Sequence, residues 1–112
     1  MKVVVTGGSG FIGTHLVHDL LRDGGEVVIF DKKRSSAYPE LTTIGDVRDT
    51  SSLVAALRNA DVVYHLAAEH RDDVSPLSLY YDVNVDGARN LLTAASQNNI
   101  KKVIYTSSVA VY

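Results

Sequence analysis

The sequence predicts an α/β fold on a doubly wound parallel sheet, strand order 3-2-1-4-5, with the chain ending shortly after the fifth strand. Three observations predict it. Short β-branched runs alternate with helical patterns along the chain. The strand runs are apolar at consecutive positions, as in strands covered on both faces. The segments between strands suit right-handed crossovers.

The elements follow in order. Lys2-Val3-Val4-Val5-Thr6 is a buried strand, ended by Gly7-Gly8. Phe11 to Asp23 is an amphipathic helix. At about 100° per residue, Ile12, Leu16, Val17, Leu20 and Leu21 share its inner half, and Thr14, His15, His18, Asp19 and Arg22 its outer half. Gly24-Gly25 stops it. Glu26 to Phe30 is the second strand and ends at Asp31. Lys32 to Pro39 reads as the one flexible stretch, and Thr42 to Ile44 as a short third strand. Asp49-Thr50-Ser51-Ser52 offers N-caps for a helix carrying Leu53, Val54 and Leu57. Val62 to Leu66 is the fourth strand. Pro76 to about Asn98 reads as a long helix, with Leu79, Val83, Leu91, Leu92 and Ala95 facing inward. Lys102 to Thr106 is the fifth strand. Its apolar edge lacks helical cover, so the natural chain is expected to continue past Tyr112.

Composition narrows the function classes. The 112 residues make one domain, and 46% hydrophobic content is enough apolar surface to offset the entropy of ordering. Thirteen acids against eleven bases give a net charge of −2, which argues against a nucleic-acid partner. With no cysteine, disulfides, thiolate catalysis and cysteine-based zinc sites are excluded. No apolar run approaches the ~20 residues of a membrane span, and the N-terminus MKVVVTGG lacks a signal peptide's apolar core. These features predict a cytoplasmic protein with no membrane partner. His15, His18 and Asp19 lack a third ligand with support behind it, so no metal site is expected. His65, in an apolar strand, is expected to be a buried and satisfied imidazole.

Gly7, Gly10 and Gly13 give the spacing G-x-x-G-x-x-G, with a strand before and a helix after. That context suits a dinucleotide pyrophosphate, which meets the helix N-terminus and needs close backbone approach. Asp31 follows about twenty residues on, where a carboxylate accepts from adenosine ribose hydroxyls and repels a 2′-phosphate. NAD is therefore favoured over NADP. Lys32, Lys33 and Arg34 could reach a 2′-phosphate but read better as a solvated loop. Lys32, next to Asp31, is also a candidate cofactor contact. Asp46 and Val47, after the third strand, are candidates for the adenine edge and ring. A turn aspartate is the competing reading of Asp46.

These motifs, in order, are VVVTGGSGFIGTHLV, Asp31, GDVRD, VYHLAA, NVDGARNLL and VIYTSSVAVY. The whole chain resembles the extended short-chain dehydrogenase/reductase family, and within it the NAD-dependent epimerase/dehydratase branch acting on nucleotide sugars. The resemblance implies a Rossmann domain. Residues 1–112 would be its N-terminal part, without the substrate lobe. It implies pyrophosphate binding by Gly7, Gly10, Phe11, Ile12 and Gly13, and ribose binding by Asp31. It implies adenine contacts from Asp46 and Val47. His65-Leu66-Ala67-Ala68 would border the cofactor near its nicotinamide half, so Leu66, Ala67 and Ala68 are cofactor contacts. Asn84 would have a structural or relay role. Ser107-Ser108 with Val111-Tyr112 matches S-S-x-x-V-Y, making Ser108 the catalytic serine and Ser107 a substrate contact. His70 is a candidate substrate contact, against the alternative of a surface loop residue.

Two departures matter. The family's base is a tyrosine in Y-x-x-x-K, and no such pair occurs here. That tyrosine takes a hydroxyl proton as hydride leaves carbon, so this chain alone is expected to bind cofactor without turnover. The family's 4,6-dehydratases carry Asp-Glu before the Val-Tyr pair, where this chain has Val109-Ala110. The resemblance thus implies a nucleotide-sugar epimerase that oxidises and re-reduces its sugar at C4, with a homodimer left open. A dehydratase is less well matched. A reductase of the same family acting on a small carbonyl or alcohol, and a non-catalytic dinucleotide-binding module, are the alternatives.

Overall fold

The computed structural model describes residues 1–66 and 87–105. Strands β1 (Lys2–Thr6), β2 (Glu26–Asp31), β3 (Thr42–Ile44), β4 (Val62–His65) and β5 (Lys102–Tyr105) form one parallel sheet. Their order is β3-β2-β1-β4-β5. Val4 pairs with Val28 on one side and with Val63 on the other.

The consecutive valines are explained by two cores. Val3 and Val5 point to one face with Val27 and Ile29, and Val4 points to the other with Phe30 and Val63. Successive residues of such a strand bury against opposite cores, which removes the alternation of a half-solvated sheet.

Helix α1 (Phe11–Arg22) covers the first face through Gly13 and Val17, which are buried, and Leu16, Leu20 and Leu21, which are partly so. Gly24 then adopts φ 87° and donates to Leu21 O, a left-handed C-terminal stop that favours glycine. Ile12 is a correction: it is 72% exposed, because in the first turn of α1 the inward contact is made by Gly13 against Gly7 and Gly8.

The second face is covered by α2 (Thr50–Ala56) and α3 (Gly87–Gln97). Asp49 caps α2 by accepting from Ser51 N and Ser52 N, and Leu53 is buried, as is Leu57 just beyond. In α3 the inward stripe is Gly87, Leu91, Ala94 and Ala95. Leu92 is 61% exposed, a second correction, since it lies one helical step off that stripe. The expected start of this helix, 76–86, lies outside the described residues, and so do Leu79 and Val83. Asn98 Nδ2 donates to Val54 O at 3.0 Å, tying α3 to α2.

The loop expected to be flexible is instead held. Ser35 is buried, its N donates to Thr42 Oγ1, and its Oγ accepts from Tyr38 N. Pro39–Leu41 forms a single 3-10 turn. Tyr38 and Leu41 pack on the α1-side core. Short hydroxyl side chains satisfy a buried backbone here, which polarity along the sequence does not reveal.

Candidate cofactor site

The order of the sheet reverses between β1 and β4, and doubly wound sheets bind their ligands at such a switch point, outside the carboxyl ends of the strands. The turn from β1 to α1 follows the carboxyl end of β1. Gly7, at φ 75°, donates to Phe30 O at 2.9 Å and so anchors the turn to β2. Gly10 is the N-cap of α1 and brings no capping side chain. Helix geometry leaves the first-turn N–H groups, those of Phe11, Ile12 and Gly13, without intrahelical acceptors. With the positive end of the helix dipole, they form an anion-receptive surface.

The glycines divide into two kinds. A Cβ on Gly13 would lie 2.5 Å from Gly8 Cα and 2.6 Å from Gly7 O. Gly13 therefore lets the helix start against the turn. A Cβ on Gly10 would meet only Gly7 O, at 3.8 Å. The protein's own packing leaves room for a side chain at Gly10, in front of the first-turn N–H groups. This fits a pyrophosphate. Phe11 and Ile12 are exposed beside it, and the Phe11 ring meets His15 edge-on at 4.7 Å.

Asp31, at the end of β2, reaches the same rim. Its Oδ2 accepts from Ser9 N at 3.0 Å and its Oδ1 from Lys33 N at 3.1 Å. Each oxygen keeps a lone pair for a ribose hydroxyl. Ser9 Oγ donates to Lys33 O at 2.6 Å, closing a ring of contacts that the sequence did not reveal.

Asp46 is engaged by Arg48, whose Nη2 donates to Oδ2 at 2.6 Å and whose Nε and backbone N also reach the carboxylate. The Arg48 side-chain hydrogen bond holds the Asp46 carboxyl below its ordinary range, with a smaller contribution from the Lys32 charge. Lys32 is exposed. Sequence reading missed this pair, although the Asp-x-Arg spacing in GDVRD was its signal. Val47 is only 5% exposed and sits in the core with Phe30 and Leu53. Its carbonyl accepts from Asn90 Nδ2 at 3.1 Å. The Val47 side chain is therefore packed in the core rather than presented on the surface.

Leu66 follows β4 and is half-buried, its N donating to Thr6 O and Thr6 Oγ1. His65 is 2% exposed, with Nδ1 2.7 Å from Thr6 Oγ1 and its ring 5.4 Å from that of Tyr105. Burial pushes the imidazole down to about 4, so it is neutral at physiological pH, as its strand position predicts. Ala67, Ala68, His70, Asn84, Ser107 and Ser108 lie outside the described residues. Among the described residues, no cluster of His, Asp and Glu could hold a metal, and no helix is long and apolar enough to cross a membrane.

Comparison with known proteins agrees with this geometry. The chain is 56% identical over 111 residues to the N-acetyl-alpha-D-glucosaminyl-diphospho-ditrans,octacis-undecaprenol 4-epimerase of Escherichia coli O157:H7, covering 99% of this chain and 33% of that protein. It is 37% identical to a 3-beta-hydroxysteroid dehydrogenase of Mycolicibacterium neoaurum, covering 98% of this chain and 32% of that one. The fold superposes on the UDP-glucose 4-epimerase of Thermus thermophilus, in its complex with NAD, at a TM-score of 0.79 and 37% identity, covering 92% of this chain and 36% of that one. The chain thus spans about a third of the length of these relatives. Residues 3–112 match the family model described as the NAD dependent epimerase/dehydratase family. Sequence motifs, sheet order and the glycine–aspartate rim converge on one conclusion: the chain belongs to the NAD dependent epimerase/dehydratase family.

Proposed function

We propose that this chain is the NAD-binding part of an epimerase that inverts C4 of a diphosphate-linked sugar. The observation that carries the cofactor assignment is the contact between Asp31 and Ser9 N, which sets the ribose-side carboxylate against the pyrophosphate-side turn. The open space at Gly10 supports it. The first-turn N–H groups of α1 bind and orient the pyrophosphate, and Asp31 accepts from the ribose. Bound in this way, NAD would supply reversible hydride acceptance at the sugar C4. Ser108 is proposed to hold the reacting hydroxyl by a hydrogen bond, with Ser107 and His70 on the substrate side. Dinucleotide binding is proposed for these 112 residues, and turnover for the protein that carries them.

The substrate's shared chemistry is a sugar joined to a diphosphate. The far side of that diphosphate is a nucleoside in the name of the Thermus protein and a polyprenol in that of the 56% identical relative. The test incubates the full protein and NAD with UDP-N-acetylglucosamine or with undecaprenyl-diphospho-N-acetylglucosamine, and reads the C4 configuration by proton NMR. Formation of the 4-epimer from one of them is expected, and shows which carrier is used. Absence of the epimer from both refutes the reading.

A second reading rests on the 37% identity to a hydroxysteroid dehydrogenase. It predicts NADH accumulation with a 3β-hydroxysteroid. Epimerisation consumes no cofactor and leaves no NADH.

A further inference from the structure

Ser9 stands between Gly8 and Gly10 in the anion-receptive turn. It makes two contacts of different kinds. Its backbone N donates to Asp31 Oδ2 at 3.0 Å, a bond any residue but proline can make at this position. Its Oγ donates to Lys33 O at 2.6 Å, a bond that requires a hydroxyl. Lys33 N in turn donates to Asp31 Oδ1 at 3.1 Å. Three bonds therefore join Ser9, Asp31 and Lys33 in a closed ring, across 24 residues of sequence at its widest.

We propose that the Ser9 hydroxyl is a positioning residue for cofactor selection, latching the turn after β2 so that the Asp31 carboxylate stays fixed at the ribose rim. The inference rests on the NAD-binding reading above.

The physical reason is a choice between two local charges. A fixed carboxylate accepts from a ribose diol and repels a 2′-phosphate. Just beyond it, Lys32, Lys33 and Arg34 are exposed and would attract that phosphate. The Lys33 backbone is held on both sides of its Cα, by its N–H to Asp31 and by its carbonyl to Ser9. Losing the hydroxyl would release one side. The carboxylate could then turn out and the cations turn in. NAD affinity should fall while NADP is tolerated better. A merely structural role for the hydroxyl would weaken both dinucleotides together.

The test measures Kd for NAD and for NADP on the full protein, for wild type, Ser9→Ala and Ser9→Thr. In Ser9→Ala we expect NAD binding to weaken about fivefold, the net worth of one hydrogen bond, and the NADP-to-NAD ratio of Kd values to fall by at least as much. Ser9→Thr restores the hydroxyl and should restore the ratio. A ratio in Ser9→Ala within about twofold of wild type would overturn the latch, since that lies below what one hydrogen bond contributes. If the wild type binds neither dinucleotide, the cofactor reading itself fails and the latch with it. If the wild type prefers NAD and the ratio is unmoved by Ser9→Ala, the latch fails alone.

Discussion

Replacing Gly13 and Gly10 separately by alanine should divide folding from ligand binding within one turn. At Gly13 the new Cβ would lie 2.5 Å from Gly8 Cα, 2.6 Å from Gly7 O and 2.8 Å from Gly8 C. All three atoms are backbone, so no side-chain rotation relieves the overlap. Overpacking costs about 1–3 kcal/mol, and a clash with backbone belongs at the upper end. Alanine's helix propensity offsets up to about 1 kcal/mol of this. The net loss for Gly13→Ala is therefore about 2 kcal/mol. At Gly10 the nearest atom is Gly7 O at 3.8 Å, and φ −78° suits any residue. The cost there is that of a poorer N-cap, about 0.5–1 kcal/mol. The Cβ would instead occupy the space assigned to the pyrophosphate. Loss of at least one charge-assisted hydrogen bond weakens NAD about tenfold or more. Urea denaturation and NAD titration on the same two variants measure both effects. A Gly13→Ala protein as stable as wild type would refute the packing argument. A Gly10→Ala protein with unchanged NAD affinity would refute the ligand argument.

Other predictions address separate parts of the site. Asp31→Asn should weaken NAD about tenfold to a hundredfold, the range for a hydrogen bond to a charged group, read by titration calorimetry. His65 ties stability to pH. Its ordinary value of 6.5 is pushed down to about 4 in the folded protein, so between these the unfolded state binds more protons. Stability should fall as pH drops from 6.5 towards 4, by up to about 3 kcal/mol from this group, and be fully retained above 6.5. Comparing the pH dependence of urea unfolding for wild type and His65→Asn checks this, and equal slopes would contradict it. Asn90→Ala removes the hydrogen bond to Val47 O and should cost about 1 kcal/mol in the same unfolding assay.

Much of the fold was legible because its causes are short-range or periodic. The glycine turn, the Asp49 cap and the Gly24 stop are decided within a few residues of chain. The valine runs named a sheet covered on both faces before any contact was known. Errors occurred where periodicity is too coarse. Ile12 and Leu92 are apolar and near the inner face, yet helix ends and off-stripe positions leave them exposed. The Lys32–Pro39 stretch looked mobile because its polarity was visible and its internal hydrogen bonds were not.

The site divides along the same line. By itself the sequence determined that a glycine-rich turn joins a strand to a helix, that an aspartate ends the next strand, and that the family pattern runs through the whole chain. Each of these depends on residue type and local spacing. Only the tertiary structure decided that Ser9 meets Asp31 and Lys33, and that Asn90 holds Val47 from across the second face. It also decided that Val47 turns its side chain into the core and that the Asp46 carboxylate is taken by Arg48. Hydrogen bonds act over about 3 Å, so a pair 24 or 43 residues apart exists only once parallel strands and crossover helices bring it together.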